Sequence, residues 1–375
     1  MSKDDEASLL GIENESQLLE LLKTRFLRDN VYNFIDDILI SINPCKTLSS
    51  SHGKQQYLFQ KVATSAINHL RLHNKNQCIV LTGDSGSGKT ELSNKLTDFL
   101  TTTTKVTDCD LAQNIIQAGN VLESFGNACT LTSDNASRFI KFTELLFTED
   151  VKLKGVYIHH YLLEKTRVVH HDKGEKNFHI FYQFLVGMAQ ENLEKYHLQP
   201  CVYHRYTGSD FDCTMEQDKY QDELTNLEEC FKSLGFSHDN VETIFRVLAA
   251  ILHIGDLTFS VKLGSKSVDV GDIETLRKAS SLLRVSAEKL QFALVTEMTS
   301  VKGRLARRLR SISEASDARD MLSMALYTRV FAWIVWKINQ YLAPMDVGTR
   351  YEQPFNENGL SLLSIIVTKL WRLYV

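Results

Sequence analysis

Leucines recur at helical spacing over residues 16–27, with charged residues between them. That spacing places the leucines on one face of a helix, so an amphipathic helix is predicted there. The same periodicity predicts further helices over residues 57–72, 92–100 and 111–127. Residues 31–44 instead favour two short extended pieces that stop at Asn43-Pro44, because an Asn-Pro pair is a turn signal.

Three stretches of the chain predict β-strands. Residues 78–82 (CIVLT) form a short apolar run, which predicts a strand buried on both faces. Residues 138–147 and 155–163 alternate between apolar and polar positions as strands do. Farther along, residues 175–255 predict a helix-rich region, and residues 316–341 predict one long helix.

The composition is that of a globular protein with enough apolar residues for a buried core. The 375 residues are 43% hydrophobic and 23% charged. The net charge of −4 gives no overall attraction to nucleic acid, so no nucleic-acid partner is expected. The long predicted helix carries Asp320, Arg329 and Lys337, which argue against a membrane span.

Cysteine usage and the amino terminus indicate a cytoplasmic protein. The seven cysteines are odd in number and contain no C-x-x-C pair, which favours a reduced protein over a disulfide scaffold or a zinc site. The first residues, MSKDDEASLL, are polar and acidic, unlike a secretory signal.

A phosphate-binding loop follows the apolar run at residues 78–82. The sequence GDSGSGKT matches the pattern G-x-x-x-x-G-K-[ST], with a strand predicted before it and a helix after it. The loop consists of Gly83, Asp84, Ser85, Gly86, Ser87, Gly88, Lys89 and Thr90. Its glycines allow backbone N–H groups to point at phosphate oxygens, Lys89 would reach the β- and γ-phosphates, and Thr90 would hold Mg²⁺. A glycine-rich turn that binds nothing is the alternative.

The surroundings of the loop resemble the myosin motor head. The loop itself is similar to the myosin phosphate loop, with Asp84 where most members carry Glu. Four further stretches follow in the family's order: LESFGNACTLTSDNASRFIKF, YLLEKTRVVHHDKGEKNFHIFYQFLVGM, VLAAILHIGDLTF and ARDMLSMALYTRVFAWIVWKIN. The resemblance covers residues 10 to 363. The sequences of these stretches are most similar to those of unconventional myosins of class III and class XVI.

The resemblance implies an α/β fold. A mostly parallel central sheet of P-loop NTPase type would be flanked by helices, with a helix-rich upper subdomain inserted after the first nucleotide switch. The implied segments are a polar N-terminal segment at 1–15, a partial motor domain at 16–363, the phosphate loop at 83–90, the first switch at 133–141, the upper subdomain at about 145–341 and a divergent end at 364–375.

The resemblance also assigns roles to individual residues. Ser137 would join Thr90 as the second hydroxyl ligand of Mg²⁺, and Arg138 would lie near the γ-phosphate and pair with an acid of the second switch. Lys89, Ser137 and Arg138 are therefore the expected catalytic residues, with ATP and Mg²⁺ as cofactors. The remaining expected nucleotide contacts are Asn43, Pro44 and Lys46 beside the adenine, and Asn127 in the turn before the switch.

Three positions in the first switch depart from the family pattern N-x-N-S-S-R-F-G-K. Ser133 stands in place of the first Asn, Ala136 in place of the first Ser, and Ile140 in place of the Gly. The loop after Asn43 also lacks the family's Tyr. These changes affect groups that sense and cleave the γ-phosphate, so we expect hydrolysis to be impaired more than binding.

The carboxyl end departs most from the family. Residues 360–363 favour the start of a core strand, but SIIVTKLWRLYV lacks the second-switch motif Asp-Ile-x-Gly-Phe-Glu. We therefore expect an incomplete myosin head that lacks the lower actin-binding region, the converter and the light-chain-binding neck, either as a fragment, a truncated isoform or a misassigned gene end. We also expect the apolar terminal strand to lie unsupported.

A basic cluster precedes the long helix, at Lys302, Arg304, Arg307, Arg308 and Arg310. By resemblance this cluster is a surface loop of the actin-facing subdomain, so actin filaments are the expected partner and the cytoskeleton is the expected location. A solvated charge run is the alternative.

The family function implied by the resemblance is an actin-activated ATPase that converts hydrolysis into force. This chain is expected to bind MgATP and to be weak or inactive in hydrolysis. A nucleotide-binding pseudoenzyme or truncated regulatory isoform is the first alternative. A non-motor P-loop NTPase is the second, and no catalytic signature of such an enzyme is present.

Overall fold

A computed structural model describes residues 14–35, 37–46, 53–104, 110–200, 202–208, 216–261, 268–301, 304–343 and 361–367. The chain divides into two compact units. The first unit contains Met1–Ile116, Ile140–His159 and Leu342–Val375, and the second contains Gln117–Phe139 and His160–Tyr341.

The helices are α1 (Glu15–Phe26), α2 (Gly53–His73), α3 (Lys89–Thr103), α4 (Leu111–Gly126), α5 (His179–Gly187), α6 (Gln190–Glu194), α7 (Gln217–Ser233), α8 (His238–Asp256), α9 (Ile273–Leu283), α10 (Ala287–Val295) and α11 (Ile312–Leu342). The strands are β1 (Tyr32–Ile35), β2 (Ile38–Ser41), β3 (Gln77–Leu81), β4 (Asn127–Thr130), β5 (Ser133–Ser137), β6 (Ile140–Phe147), β7 (Leu153–Tyr161), β8 (Phe259–Val261), β9 (Val268–Val270), β10 (Thr296–Val301), β11 (Arg304–Leu309) and β12 (Ser361–Val367). The helices and strands predicted from periodicity are confirmed.

The first unit contains a four-stranded sheet in the order β3-β12-β6-β7. Strand β12 runs parallel to β3 and antiparallel to β6. Strands β6 and β7 are joined by a connection too short for a parallel crossover. The expectation of a mostly parallel sheet is therefore not confirmed for the described strands.

Strand β12 is an interior strand of this sheet. It is hydrogen bonded on both edges, and Ile365 is fully buried. Helices α2 and α3 pack against it. For residues 361–367, the expectation that the apolar strand lies unsupported is wrong, because the strand pairs with two segments that are distant in sequence.

The predicted burial of β3 on both faces is also wrong. Ile79 is buried, whereas Cys78 is exposed and Val80 is 58% exposed. Strand β3 is the first strand in the order of the sheet, with one neighbour. An apolar sequence run alone does not reveal which face a neighbouring element covers.

Helix α11 lies in the core of the second unit. Tyr327, Phe331, Ile334 and Ile338 recur at helical spacing and are fully buried. The Tyr327 ring stacks on Phe178 with ring centroids 4.8 Å apart. Within the described part of the chain, α11 is long and apolar enough to cross a membrane by length and composition alone. A buried core helix meets the same criteria.

Candidate functional site

The phosphate loop lies between β3 and α3 in the first unit. The backbone adopts positive φ at Gly86 (78°) and Gly88 (88°), a conformation that side chains with a Cβ rarely adopt. Gly88 is the N-cap of α3, and Leu92 N–H donates to its carbonyl over 2.9 Å. The loop therefore delivers the chain into α3, whose amino end favours an anion.

Lys89, the first residue of α3, points into the loop. Its Nζ donates to the carbonyl oxygens of Gly83 (2.7 Å) and Asp84 (2.6 Å) and lies 3.4 Å from Ser87 Oγ. Burial lowers the pKa of the Lys89 ammonium below its ordinary value, while Asp84 acts in the opposite direction. The loop thus encloses a partly desolvated cation, which suits a phosphate oxygen.

Asn43 is the predicted adenine-loop residue that contacts the phosphate loop. Its Nδ2 donates to the carbonyl of Gly86 over 2.7 Å, and its Oδ1 accepts from Cys45 N–H over 3.0 Å. Pro44 follows in an irregular segment, and Lys46 pairs with Asp29 at 2.6 Å. The amide of Asn43 therefore helps to hold the phosphate loop in shape.

The first-switch residues form a hairpin in the second unit. Strands β4 and β5 pair antiparallel, and Asn127 lies opposite Ser137. Ser137 ends β5, and Arg138 N–H donates to the carbonyl of Gly126 over 2.7 Å. The hairpin therefore holds Asn127, Ser137 and Arg138 next to one another on a regular scaffold.

Arg138 has an acidic partner that the sequence did not reveal. Its Nη1 lies 3.2 Å from Glu164 Oε2, and its Nε donates to Ala136 O over 3.3 Å. Burial lowers the pKa of the Arg138 guanidinium, and Glu164 opposes that change. Glu164 belongs to the Leu-Leu-Glu-Lys stretch, 26 residues farther along, so no local spacing linked the two side chains.

Asn127 and Asn135 belong to one polar network. Asn127 is fully buried, and its Nδ2 donates to Asn135 Oδ1 over 2.8 Å. Asn135 Nδ2 donates to Glu123 Oε2 over 3.0 Å, and His179 Nε2 lies 3.1 Å from Asn135 Oδ1. Asn127 Oδ1 is buried without a partner among the described residues. Asn135 and His179 were not singled out from the sequence, because only the fold brings α4, β5 and α5 together.

The three substituted positions have local structural explanations. Ser133 Oγ accepts from Asn135 N–H over 3.3 Å. Ala136 is 4% exposed, and Ile140 begins strand β6, where a β-branched residue is favoured. The substitutions are therefore compatible with the hairpin and with the strand that follows it.

The two hydroxyls predicted to hold Mg²⁺ are in different units. Thr90 is the second residue of α3, and Ser137 is the last residue of β5. Hydroxyl oxygens are hard donors of the kind that Mg²⁺ accepts, so both residues suit the ion chemically.

Three residues of the basic cluster, Arg304, Arg307 and Arg308, lie in strand β11, which pairs antiparallel with β10, so this part of the expected surface loop is instead a hairpin strand. Arg308 contacts Glu297 and donates to Glu314 over 2.8 and 2.9 Å, and this pairing lowers the pKa of Glu314 to about 2. Arg304 lies opposite Val301 in the hairpin, and Lys302 lies outside the described residues.

Two further arginines of the cluster also make contacts within the hairpin region. The Arg307 guanidinium lies 4.5 Å from the centroid of the Phe292 ring. Arg310 Nη1 donates to the carbonyls of Ala293 (2.6 Å) and Leu294 (3.1 Å). Much of the positive charge is therefore engaged by the hairpin and its neighbours.

The strand, glycine loop and helix around Lys89 define a protein of the P-loop NTPase-like class. The family model "Myosin head (motor domain)" matches residues 3–351. The chain belongs to this family, whose members are actin-based motors that use MgATP.

Individual relatives agree with the family match. The chain is 36% identical over 359 residues to myosin-IIIa of Homo sapiens, covering 90% of this chain and 22% of that protein. It is 36% identical over 371 residues to unconventional myosin-IXa of Mus musculus, covering 90% and 15%. It is 35% identical over 360 residues to myosin IE heavy chain of Dictyostelium discoideum, covering 88% and 35%. The chain thus spans between 15% and 35% of the length of these three relatives.

Proposed function

We propose that these residues bind MgATP as part of an actin-based motor head. The observation that carries the proposal is the position of the Lys89 ammonium inside the phosphate loop, 2.7 Å from Gly83 O. A cation held there can exchange its contacts with loop carbonyls for contacts with the β- and γ-phosphates. The amino end of α3 adds favourable dipoles for the same anion.

The nucleotide contacts follow the family resemblance. Gly83, Asp84, Ser85, Gly86, Ser87, Gly88, Lys89 and Thr90 hold the phosphates, Asn43, Pro44 and Lys46 adjoin the adenine, and Asn127 supports the switch. Thr90 and Ser137 hold Mg²⁺, which neutralises charge on the phosphates when bound. Arg138 approaches the γ-phosphate. The Asn43–Gly86 hydrogen bond of 2.7 Å supports the placement of the adenine loop beside the phosphate loop.

We further propose that the 375 residues by themselves hydrolyse ATP weakly. Ala136 lacks the hydroxyl that the family places near the attacking water, and Ser133 replaces an amide. The second-switch motif is not among these residues, so its backbone donor to the γ-phosphate is not supplied by them. One or two missing donors cost several kcal/mol of transition-state stabilisation.

A nucleotide-holding pseudoenzyme is the second candidate. The substitutions at Ser133 and Ala136 favour it, because they alter γ-phosphate-sensing groups while the phosphate loop is intact. A truncated regulatory isoform would share this property. Actin filaments remain the proposed partner, through the basic cluster around Arg304, Arg307, Arg308 and Arg310, and the actin cytoskeleton remains the proposed location. A non-motor NTPase has no supporting observation.

A comparison of binding with turnover tests this proposal. Purified chain is titrated with a fluorescent ATP analogue, and phosphate release is measured with and without actin filaments. Saturable, Mg²⁺-dependent binding with slow, actin-insensitive phosphate release is expected. Absence of binding would contradict nucleotide binding. Actin-stimulated phosphate release or filament gliding would contradict weak hydrolysis and show that the missing groups are supplied in another way.

A further inference from the structure

Arg138 and Glu164 are joined twice. The Glu164 N–H donates to the Arg138 carbonyl over 2.9 Å, and the side chains form an ion pair of 3.2 Å. The Arg138 side chain is 12% exposed and that of Glu164 is 23% exposed. The backbone contact places the two residues side by side, within reach of an ion pair between their side chains.

Glu164 is itself held in place by Arg167. Arg167 Nη2 lies 3.3 Å from Glu164 Oε1, and its Nε lies 3.3 Å from Oε2. Arg167 is buried and also contacts Glu175 at 2.8 Å and the Lys176 carbonyl at 3.1 Å. A short 3₁₀ turn at Lys165–Val168 begins directly after Glu164, and this turn places the Arg167 side chain next to the Glu164 carboxylate. The carboxylate is thus fixed by a buried partner.

This arrangement lowers the capacity of Arg138 to attract another anion. A carboxylate at 3.2 Å cancels much of the field of the guanidinium beyond the pair. An incoming phosphate must therefore replace Glu164 or share the guanidinium with it. In the proposed function only the γ-phosphate reaches Arg138. The binding of a nucleoside diphosphate is therefore independent of whether Glu164 is displaced.

We infer that Glu164 is a positioning residue that holds Arg138 in a resting geometry and competes with the γ-phosphate of a nucleoside triphosphate for its guanidinium. This inference rests on the proposed function. Glu164 would then help to determine how strongly the site prefers a triphosphate over a diphosphate. The phosphate loop would determine the overall affinity for nucleotide.

The test compares ATP and ADP binding in the isosteric variant Glu164→Gln. ATP affinity is expected to rise about fivefold, the effect of removing one partly shielded charge, with ADP affinity unchanged. In an Arg138→Ala background the same substitution should have no effect on either nucleotide. Glu175→Gln, which removes the other carboxylate of Arg167, is the comparison variant. Glu175 acts on Arg138 more weakly than Glu164 does, so this substitution should raise the ATP-to-ADP ratio less than Glu164→Gln does.

The outcomes separate the two proposals. Failure of the wild-type chain to bind ATP overturns the proposed function and this inference with it. If the wild-type chain binds ATP, three results overturn this inference alone. They are an unchanged ATP-to-ADP affinity ratio in Glu164→Gln, an equal change in affinity for ATP and ADP, and a full effect of the substitution in the Arg138→Ala background. If circular dichroism shows that Glu164→Gln is unfolded, Glu164→Asp replaces it. Its shorter carboxylate should raise the ratio less, and an unchanged ratio contradicts the inference.

Discussion

His179 Nε2 lies 3.1 Å from Oδ1 of Asn135, the same oxygen that accepts from Asn127 Nδ2. Because that oxygen only accepts, His179 donates from Nε2. Burial, together with Lys219 and Lys176, lowers the pKa of His179 to about 4. A neutral imidazole therefore joins α5 to the first-switch hairpin of the second unit.

The lowered pKa of His179 predicts loss of stability in mild acid. The unfolded chain binds a proton near pH 6.5 and the folded chain only near pH 4, so stability is fully present above pH 6.5 and declines between these values. His179 should contribute a loss of about 2 kcal/mol between pH 7.5 and pH 5. Urea unfolding followed by tryptophan fluorescence measures it in wild type and in His179→Gln.

The matched control for this prediction is His170→Gln, since the His170 side chain is 81% exposed. The His179 variant should show a shallower decline of unfolding free energy with falling pH, and the His170 variant should follow wild type. An identical pH dependence in all three proteins would contradict the role assigned to His179. The buried His253, whose pKa is also lowered to about 4, accounts for the pH dependence of unfolding free energy that remains in the His179 variant.

The phenol of Tyr327 predicts a stability effect in the core of the second unit. Its hydroxyl donates to the Phe125 carbonyl over 2.7 Å, and the side chain is fully buried, which raises its pKa so that it stays a donor. Tyr327→Phe keeps the ring stacking and leaves the carbonyl without this donor, so a loss of about 1–3 kcal/mol is expected. Tyr341→Phe, at a half-exposed site, is the control in thermal and urea unfolding. Equal stability of the two variants would contradict the importance of this hydrogen bond.

The prediction of this structure from sequence succeeded where the signal was local. The strand, the phosphate loop and the helix are adjacent in the chain, and each has a local signal: an apolar run, the motif GDSGSGKT and helical periodicity. The support of β12 depended on β3 and β6, which lie far earlier in the chain. The pairing of Arg138 with Glu164 likewise joins residues that are 26 positions apart. Such non-local pairing is set by the fold, and neither periodicity nor motif spacing encodes it.

The proposed metal site predicts different responses of ATP and ADP to loss of Mg²⁺. Thr90 and Ser137 supply hydroxyl ligands, and the γ-phosphate of ATP supplies a further oxygen, so a chelator should weaken ATP binding more than ADP binding. Thr90→Ala should reproduce part of this loss. The control is Thr97→Ala on the same helix. Among the hydrogen bonds described, the Thr97 hydroxyl donates only to the Ser93 carbonyl, over 2.9 Å, so its loss should not change the affinity for either nucleotide. Equal chelator sensitivity of the two nucleotides would argue against the joint role of Thr90 and Ser137.

The most direct test of the central claim is equilibrium titration of a fluorescent ATP analogue against Lys89→Ala and Lys95→Ala. Both lysines are on α3, but Lys89 points into the phosphate loop and Lys95 pairs with Glu91 at 3.2 Å on the exposed surface. Loss of a charge-assisted contact to phosphate should weaken binding about tenfold or more in Lys89→Ala, with Lys95→Ala equal to wild type. Wild-type affinity in a folded Lys89→Ala variant would contradict nucleotide binding at this loop.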